Sequence, residues 1–305
     1  MQPGQTEITR RAVVRSLAAL AAGKALSLSG SSRATRRVSR EGEWVEYGAQ
    51  TNAWAIDPKR FDSFLDVLHQ IHEIGYAGFE TGFRNVMQQF QSPSEARRQI
   101  EKTGLTFFGT HIFLPGRLYD PSTNLPPAAV YEKVAPGAFS LGSKHLIFSG
   151  APAQNMEQLQ HKIAGLNAAG KFCNGIGLPL AYHNETAMES QSKFNELESI
   201  YSQTDPTLVS FLLDAGHAYQ GGMDVPAFAR KNFRRIVGLH LRDFKNGTQV
   251  PLGEGTFPLA QLAAVLKQAK WRGWVLNEEE RLDGSKNGPK VMGPAFQAMR
   301  GALSA

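Results

Sequence analysis

The sequence predicts a single-domain (β/α)₈ barrel. From about residue 45 onward, short β-rich runs alternate eight times with longer amphipathic ones. The roughly 265 residues available match the size of that fold. A doubly wound open sheet would call for a glycine-rich turn after the first strand, and none follows Trp54. Runs such as Ser210–Leu213 are continuously apolar, as a parallel sheet covered on both faces requires.

In chain order, Val45–Trp54 reads as the first strand. Asp57–Ile74 reads as its helix, capped by Asp57 with Pro58 in the first turn. Gly78–Thr81 is the second strand, followed by a helical region that ends at Lys102-Thr103-Gly104. Leu105–Phe113 is the third, with Ala128–Leu141 as a helix broken at Pro136. Lys144–Ser149 and Met156–Cys173 make the fourth pair, and Leu178–Asn184 and Ser192–Ser202 the fifth. Val209–Asp214 with Val225–Phe233, and Val237–Asp243 with Leu259–Ala269, are the sixth and seventh. Trp274–Glu278 and Val291–Leu303 close the series.

The chain has 305 residues, 42% hydrophobic and 20% charged, enough apolar material for a sizeable core. No apolar stretch is long enough to span a bilayer, so membrane insertion is not expected. One cysteine, Cys173, excludes an intrachain disulfide framework and reads as a packed small hydrophobe. The formal charge of +6 suggests nucleic-acid binding until its position is considered. Residues 1–40 hold eight basic residues and one acid, a net +7, which leaves −1 for residues 41–305. The barrel therefore lacks the broad basic surface that phosphate backbones attract, and no nucleic-acid partner is expected.

Residues 1–40 read as a leader, separate from the barrel at 41–305. Thr9-Arg10-Arg11-Ala12-Val13-Val14-Arg15 precedes the modest apolar run Ser16–Gly23, and this resembles a bacterial twin-arginine export signal. The resemblance implies a periplasmic location and export of the already folded protein. The alternative is a basic N-terminus without an address.

In a barrel of this kind the site is built at the C-terminal ends of the strands. There the sequence places Glu80, His111, His183-Asn184-Glu185, Asp214-Ala-Gly-His217, His240-Leu-Arg-Asp243 and Glu278-Glu279-Glu280-Arg281. Four of the eight histidines fall on this rim, and so many ionisable groups on one face point to a divalent cation. Arg242 is read as alternating away from His240 and structural. Asp243 is expected to orient a histidine or cap the following turn.

The order His183, Asp214-x-x-His217, His240-x-x-Asp243 and a glutamate after Gly273-Trp274-Val-Leu-Asn277 resembles the sugar phosphate isomerase/epimerase superfamily, the xylose-isomerase-like barrels. Leu252-Gly-Glu-Gly255 resembles a turn common there. The resemblance implies one divalent metal held by His183, Asp214, His240 and Glu278. Nitrogen ligands favour manganese first, then zinc, cobalt or iron, over magnesium. It also implies an enzyme of carbohydrate metabolism that isomerises or epimerises a non-phosphorylated sugar or keto-sugar by proton abstraction next to a carbonyl. Candidate catalytic groups are Glu278, Glu185 and His217. Candidate substrate contacts are His111, Glu80, Trp54, His217 and Glu254, with Phe113 as a further stacking surface.

Many epimerases of the family carry glutamate where this chain has His183, which leaves two-base epimerisation in doubt. A lyase or hydrolase on an oxidised sugar or glycoside stays open, as does a non-catalytic sugar-binding barrel. An endonuclease-four-type nuclease is disfavoured by charge. A homo-oligomer is compatible with the family, but no residue pattern decides it.

Overall fold

The structure is a computed structural model describing residues 44–186, 189, 192–279 and 286–304. The leader at 1–40, Glu280 and Arg281 lie outside the described residues. Eight parallel strands close into a barrel: β1 (Glu46–Gln50), β2 (Gly78–Gly82), β3 (Thr106–Ile112), β4 (Leu146–Phe148), β5 (Leu180–His183), β6 (Val209–Asp214), β7 (Ile236–Leu241) and β10 (Trp274–Asn277). The ring order is β1-β10-β7-β6-β5-β4-β3-β2. A two-stranded antiparallel hairpin, β8 (Asp243–Lys245) and β9 (Thr248–Val250), rises beyond β7. The described helices are α1 (Phe61–Ile74), α2 (Pro93–Lys102), α3 (Ala128–Ser140), α4 (Met156–Gly175), α5 (Glu196–Gln203), α6 (Ala215–Gln220), α7 (Val225–Asn232), α8 (Leu259–Gln268) and α9 (Gly288–Ser304). None of the described helices is long and apolar enough to cross a membrane.

Apolar side chains fill two separate spaces. The larger core lies between strands and helices and includes Phe64, Phe79, Leu166, Phe211, Val275 and Met292. A smaller cluster of Phe108, Ile147, Ala181, Leu212 and Leu276 fills the barrel lumen. Glycines make room for it. A Cβ at Gly238 would lie 2.9 Å from both Leu212 Cδ1 and Phe108 Cζ, and one at Gly109 2.3 Å from Ile147 Cδ1. The lumen is thus a packed plug, with the strand-end polar groups on the rim above it.

Three boundaries and one helix break differ from expectation for local reasons. The first strand ends at Gln50, whose Oε1 accepts from Asn52 N and turns the chain into a 3₁₀ segment over Thr51–Ala53. Helix α1 begins at Phe61, because Asp57 caps a tight turn instead: its Oδ1 accepts from Lys59 N at 3.0 Å. Helix α3 runs through Pro136 unbroken. Pro136 sits on the exposed face with Lys133 and Phe139, so its ring does not disturb the packed side of the helix. The seventh strand stops at Leu241, and Asp243 opens the hairpin.

Candidate metal centre

The rim chemistry follows from strand parity. Side chains two residues apart share a face, so Leu212 and Asp214, His240 and Arg242, Leu276 and Glu278, and Ala181 and His183 each extend from lumen to rim. Asp214 and His240 are register partners across β6 and β7, and Leu276 sits opposite His240 on β10. One ligand atom from each of His183, Asp214, His240 and Glu278 lies within 4.8 Å of all the others, and all four residues are buried. His183 Nε2 is 3.0 Å from His240 Nδ1, 3.6 Å from Asp214 Oδ2 and 3.8 Å from Glu278 Oε2; His240 Nδ1 is 2.5 Å from Glu278 Oε2. Ligands about 2.1 Å from one ion stand roughly 3.0–3.4 Å apart when adjacent and about 4.2 Å when opposed, so this spread suits a single cation.

The surrounding contacts aim these atoms inward. Asp214 caps α6: its Oδ1 accepts from His217 N at 2.7 Å, which leaves Oδ2 for the centre. Its backbone is fixed by Asn184, which both donates to Asp214 O and accepts from Asp214 N at 2.9 Å. His240 Nε2 lies 2.6 Å from Glu80 Oε2, which places the proton on that nitrogen and turns the Nδ1 lone pair inward. His183 Nδ1 faces Ser149 Oγ at 3.3 Å and Glu185 Oε2 at 3.5 Å, so its Nε2 lone pair also points inward. Two inward lone pairs 3.0 Å apart repel unless a proton or a cation lies between them.

The electrostatics make the same demand. Burial works against the charged form of His183, but the Asp214, Glu185 and Glu278 carboxylates outweigh it and raise its pKa well above the ordinary imidazole range. Burial likewise opposes charge on His240, yet Glu80 and Glu278 lift it to about 9. Asp214 and Glu278 are held far below the usual carboxylate range despite burial, chiefly by Arg242, with His217 also acting on Asp214 and His240 on Glu278. The site is built for positive charge. Asp214 Oδ2 and Glu278 Oε2 are buried without a hydrogen-bond partner of proper geometry, although Arg242 lies against both. Two imidazole nitrogens and two carboxylate oxygens therefore fit a divalent ion.

Arg242 departs from its expected role. It stands two residues after His240 and so shares its face. Its Nε is 2.8 Å from Asp214 Oδ2, and its Nη2 contacts Glu278 Oε2. Gly216 makes the space: a Cβ there would lie 2.2 Å from Arg242 Cγ. Asn52, also missed in the sequence, donates from Nδ2 to Glu278 Oε1 at 3.0 Å.

Glu80 and His111 lie behind the ligands. Glu80 is fully buried, bridging His240 Nε2 and His111 Nδ1; although burial pushes its pKa up, His240 and His111 bring it down to about 2. His111 Nε2 meets Ser149 Oγ at 2.6 Å, and that hydroxyl donates to Glu185 Oε2 at 2.6 Å. Ser149 thus stands in the middle of a second cluster, His111, His183 and Glu185. The Glu185 side chain is 24% exposed, so a carboxylate beside the ligand set stays open to solvent. His217 Nε2 lies 3.8 Å from Asp214 Oδ2, and burial lowers its pKa, so the ring stays neutral.

Trp54, Phe113 and Glu254 are not brought to these groups. Trp54 Nε1 donates to Gln70 Oε1 at 2.9 Å, with its ring against Gly288 at the start of α9, because the chain leaves the strand at Gln50. Phe113 lies past β3 and is exposed. Glu254 is exposed on a turn that Asp243 holds instead: the Asp243 carboxylate accepts from the backbone N–H groups of Phe244, Gly253, Gly255 and Phe257. Cys173 is buried, its thiol pushed up to about 12 by burial alone, so it packs as a small hydrophobe.

Comparison with known proteins follows the same lines. An inosose dehydratase from Salmonella agona is 28% identical over 174 residues, 51% of this chain and 56% of the relative, so the chain spans about half the length of the curated relatives it matches. Among solved structures, a 3-keto-D-glucoside 4-epimerase from E. coli superposes with a TM-score of 0.65 at 14% identity, over 84% of this chain and 99% of the other. An IOLI protein with a bound zinc atom superposes with a TM-score of 0.66 at 13% identity, over 85% and 98%. These structural likenesses show the fold. Relatives of the barrel are enzymes, among them the dehydratase and the epimerase. With the family model matching residues 68–301, the chain belongs to the xylose isomerase-like TIM barrels.

Proposed function

We propose that the protein is a divalent-metal enzyme that removes a proton next to the carbonyl of a non-phosphorylated keto-sugar or keto-cyclitol. The observation that carries this reading is the convergence of His183, Asp214, His240 and Glu278 beside the solvent-reachable carboxylate of Glu185. When bound, the ion supplies Lewis-acid polarisation of the substrate carbonyl. Glu185, whose pKa is lowered by hydrogen bonds and charge from His183, overcoming burial, is ionised at neutral pH and serves as the base. Ser149 fixes that carboxylate by donating to it. Neutral His217 donates a hydrogen bond to a substrate hydroxyl. Asn52 holds Glu278, and Glu80 holds His240.

With Glu278 committed to the ligand set, Glu185 is, among the described residues, the carboxylate placed beside that set and open to solvent, and we take it as the single base. One base suits loss of water after proton removal better than two-sided epimerisation, and the inosose dehydratase relatives support this lyase outcome. Epimerisation or isomerisation is the second reading, supported by the superfamily resemblance. The donor set suits manganese or zinc better than magnesium. The basic leader, with its twin arginines, supports export to the periplasm; cell fractionation of the full chain tests it, and wholly cytoplasmic protein ends that part of the proposal.

The test of the site is elemental analysis of the purified protein beside Asp214→Ala and His240→Ala, with deuterium uptake from buffer into inosose and into a 3-keto-glucoside. Near-stoichiometric metal in the parent, its loss in both variants, and uptake abolished by Glu185→Gln with metal retained are expected. Full metal in both alanine variants would refute the site.

A further inference from the structure

A second ionic cluster lies outside the ligand set. Lys162 of α4 is fully buried, its Nζ 2.7 Å from Glu196 Oε1, 3.4 Å from Glu189 Oε1 and 3.0 Å from Ala151 O. Glu189 and Glu196 are also fully buried. The Tyr182 hydroxyl, on the residue before His183, donates to Glu189 Oε1, and Lys162 Nζ stands 5.1 Å from the Tyr182 ring centroid. A lysine and two carboxylates in the interior are costly unless each atom has an assigned partner. Here each one does. Glu196 Oε2 accepts from Ala153 N at 2.8 Å. The remaining oxygen, Glu189 Oε2, accepts from Glu185 N at 2.7 Å and Thr186 N at 3.3 Å.

We infer that Glu189 is the positioning residue for Glu185. One Glu189 oxygen is anchored by Lys162 and Tyr182, and the other grips the backbone of the turn that carries the base. The inference rests on the reading of Glu185 as the base and extends it to a group that touches neither substrate nor metal ligands. The chemistry is specific to a carboxylate. A glutamine at 189 keeps the shape but offers one acceptor. If its oxygen keeps the turn amides, its NH₂ is turned toward the Lys162 ammonium and the Tyr182 hydroxyl, where an acceptor is required. If it flips, the amides of Glu185 and Thr186 lose their partner. Either way the turn loosens while the strand-borne ligands stay in place.

Three variants, Glu189→Gln, Tyr182→Phe and Glu185→Gln, test this in the zinc-loaded full chain by amide hydrogen exchange, zinc titration and deuterium uptake into inosose. In Glu189→Gln the amides of residues 185 and 186 exchange about tenfold faster or more. The kcat for uptake falls by roughly a hundredfold while KM and zinc affinity stay within about twofold. Tyr182→Phe moves both readouts in the same direction by less, and serves if the glutamine variant does not fold. Unchanged exchange at 185–186 in both variants, or a kcat loss matched by an equal loss of zinc affinity, overturns the proposal. Wild-type uptake in Glu185→Gln defeats the base assignment instead; faster exchange in Glu189→Gln would still establish the grip on the turn.

Discussion

Arg242→Met is expected to destabilise the protein in chelator and to matter far less in zinc. The guanidinium is buried and touches the two oxygens, Asp214 Oδ2 and Glu278 Oε2, that a metal would also use. Removing one partner of a buried ion pair costs about 3–5 kcal/mol, because the opposite charge remains without compensation. For a domain of this size that corresponds to a fall in melting temperature of roughly 6–20 °C. A divalent ion compensates both oxygens itself, so in saturating zinc the loss shrinks to about 1 kcal/mol of altered packing. The difference closes a thermodynamic cycle. The variant must bind zinc more tightly than the parent, by at least about thirtyfold at 1.4 kcal/mol per decade. Thermal melts at pH 8 in chelator and in zinc, with zinc affinities from a competing chelator, measure every arm. An equal melting loss in both conditions, or weaker zinc binding, would show that Arg242 props the ligands rather than sharing them with the ion.

Glu80→Gln removes the charge behind His240 and is expected to weaken zinc binding by about ten- to a hundredfold with the fold intact, read by the same competition titration. Zinc affinity should rise steeply with pH. The ion needs the inward lone pair of His240, whose proton is held up to a pKa of about 9, and that of His183, whose pKa is also raised, so binding releases protons below pH 9 and loses at least about a decade per pH unit as pH falls. A flat profile between pH 6.5 and 8.5 contradicts this. The same raised pKa stabilises the metal-free fold fully below the unfolded value of about 6.5, and that contribution is lost as pH rises toward 9. Gly170→Ala in α4 should cost about 1–3 kcal/mol, measured by urea unfolding, because its Cβ would lie 2.3 Å from the Leu208 carbonyl oxygen, a backbone atom that cannot swing aside.

The barrel was legible because its signals are local: apolar runs of strand length, amphipathic runs between them, and ionisable residues where the runs stop. The ligand candidates His183, Asp214, His240 and Glu278 could be found for the same reason, each standing within one residue of the end of a strand. What the sequence hid depends on who meets whom across the lumen. Glu80 and His111 read as substrate contacts, but nothing near them in the chain shows that His240 and Ser149 occupy their polar atoms. Arg242 was recoverable from parity alone, since two residues along a strand return to the same face. Lys162 carried a signal too. It falls three residues after Leu159 and four before Leu166, on the buried stripe of α4, where a lysine needs partners that only the fold can supply. Trp54 failed as a rim residue for a local reason, the turn that Gln50 starts.

The bond between Glu80 and His240 joins walls that are nearly diametrically opposed. β2 and β7 are three strands apart one way round the ring and five the other. A strut thus crosses the throat just above the apolar plug, and it ends on an imidazole of the candidate ligand set. The far wall at β2 and the candidate ligand on β7 are thereby tied into one mechanical unit, so a displacement of either strand is felt at the other.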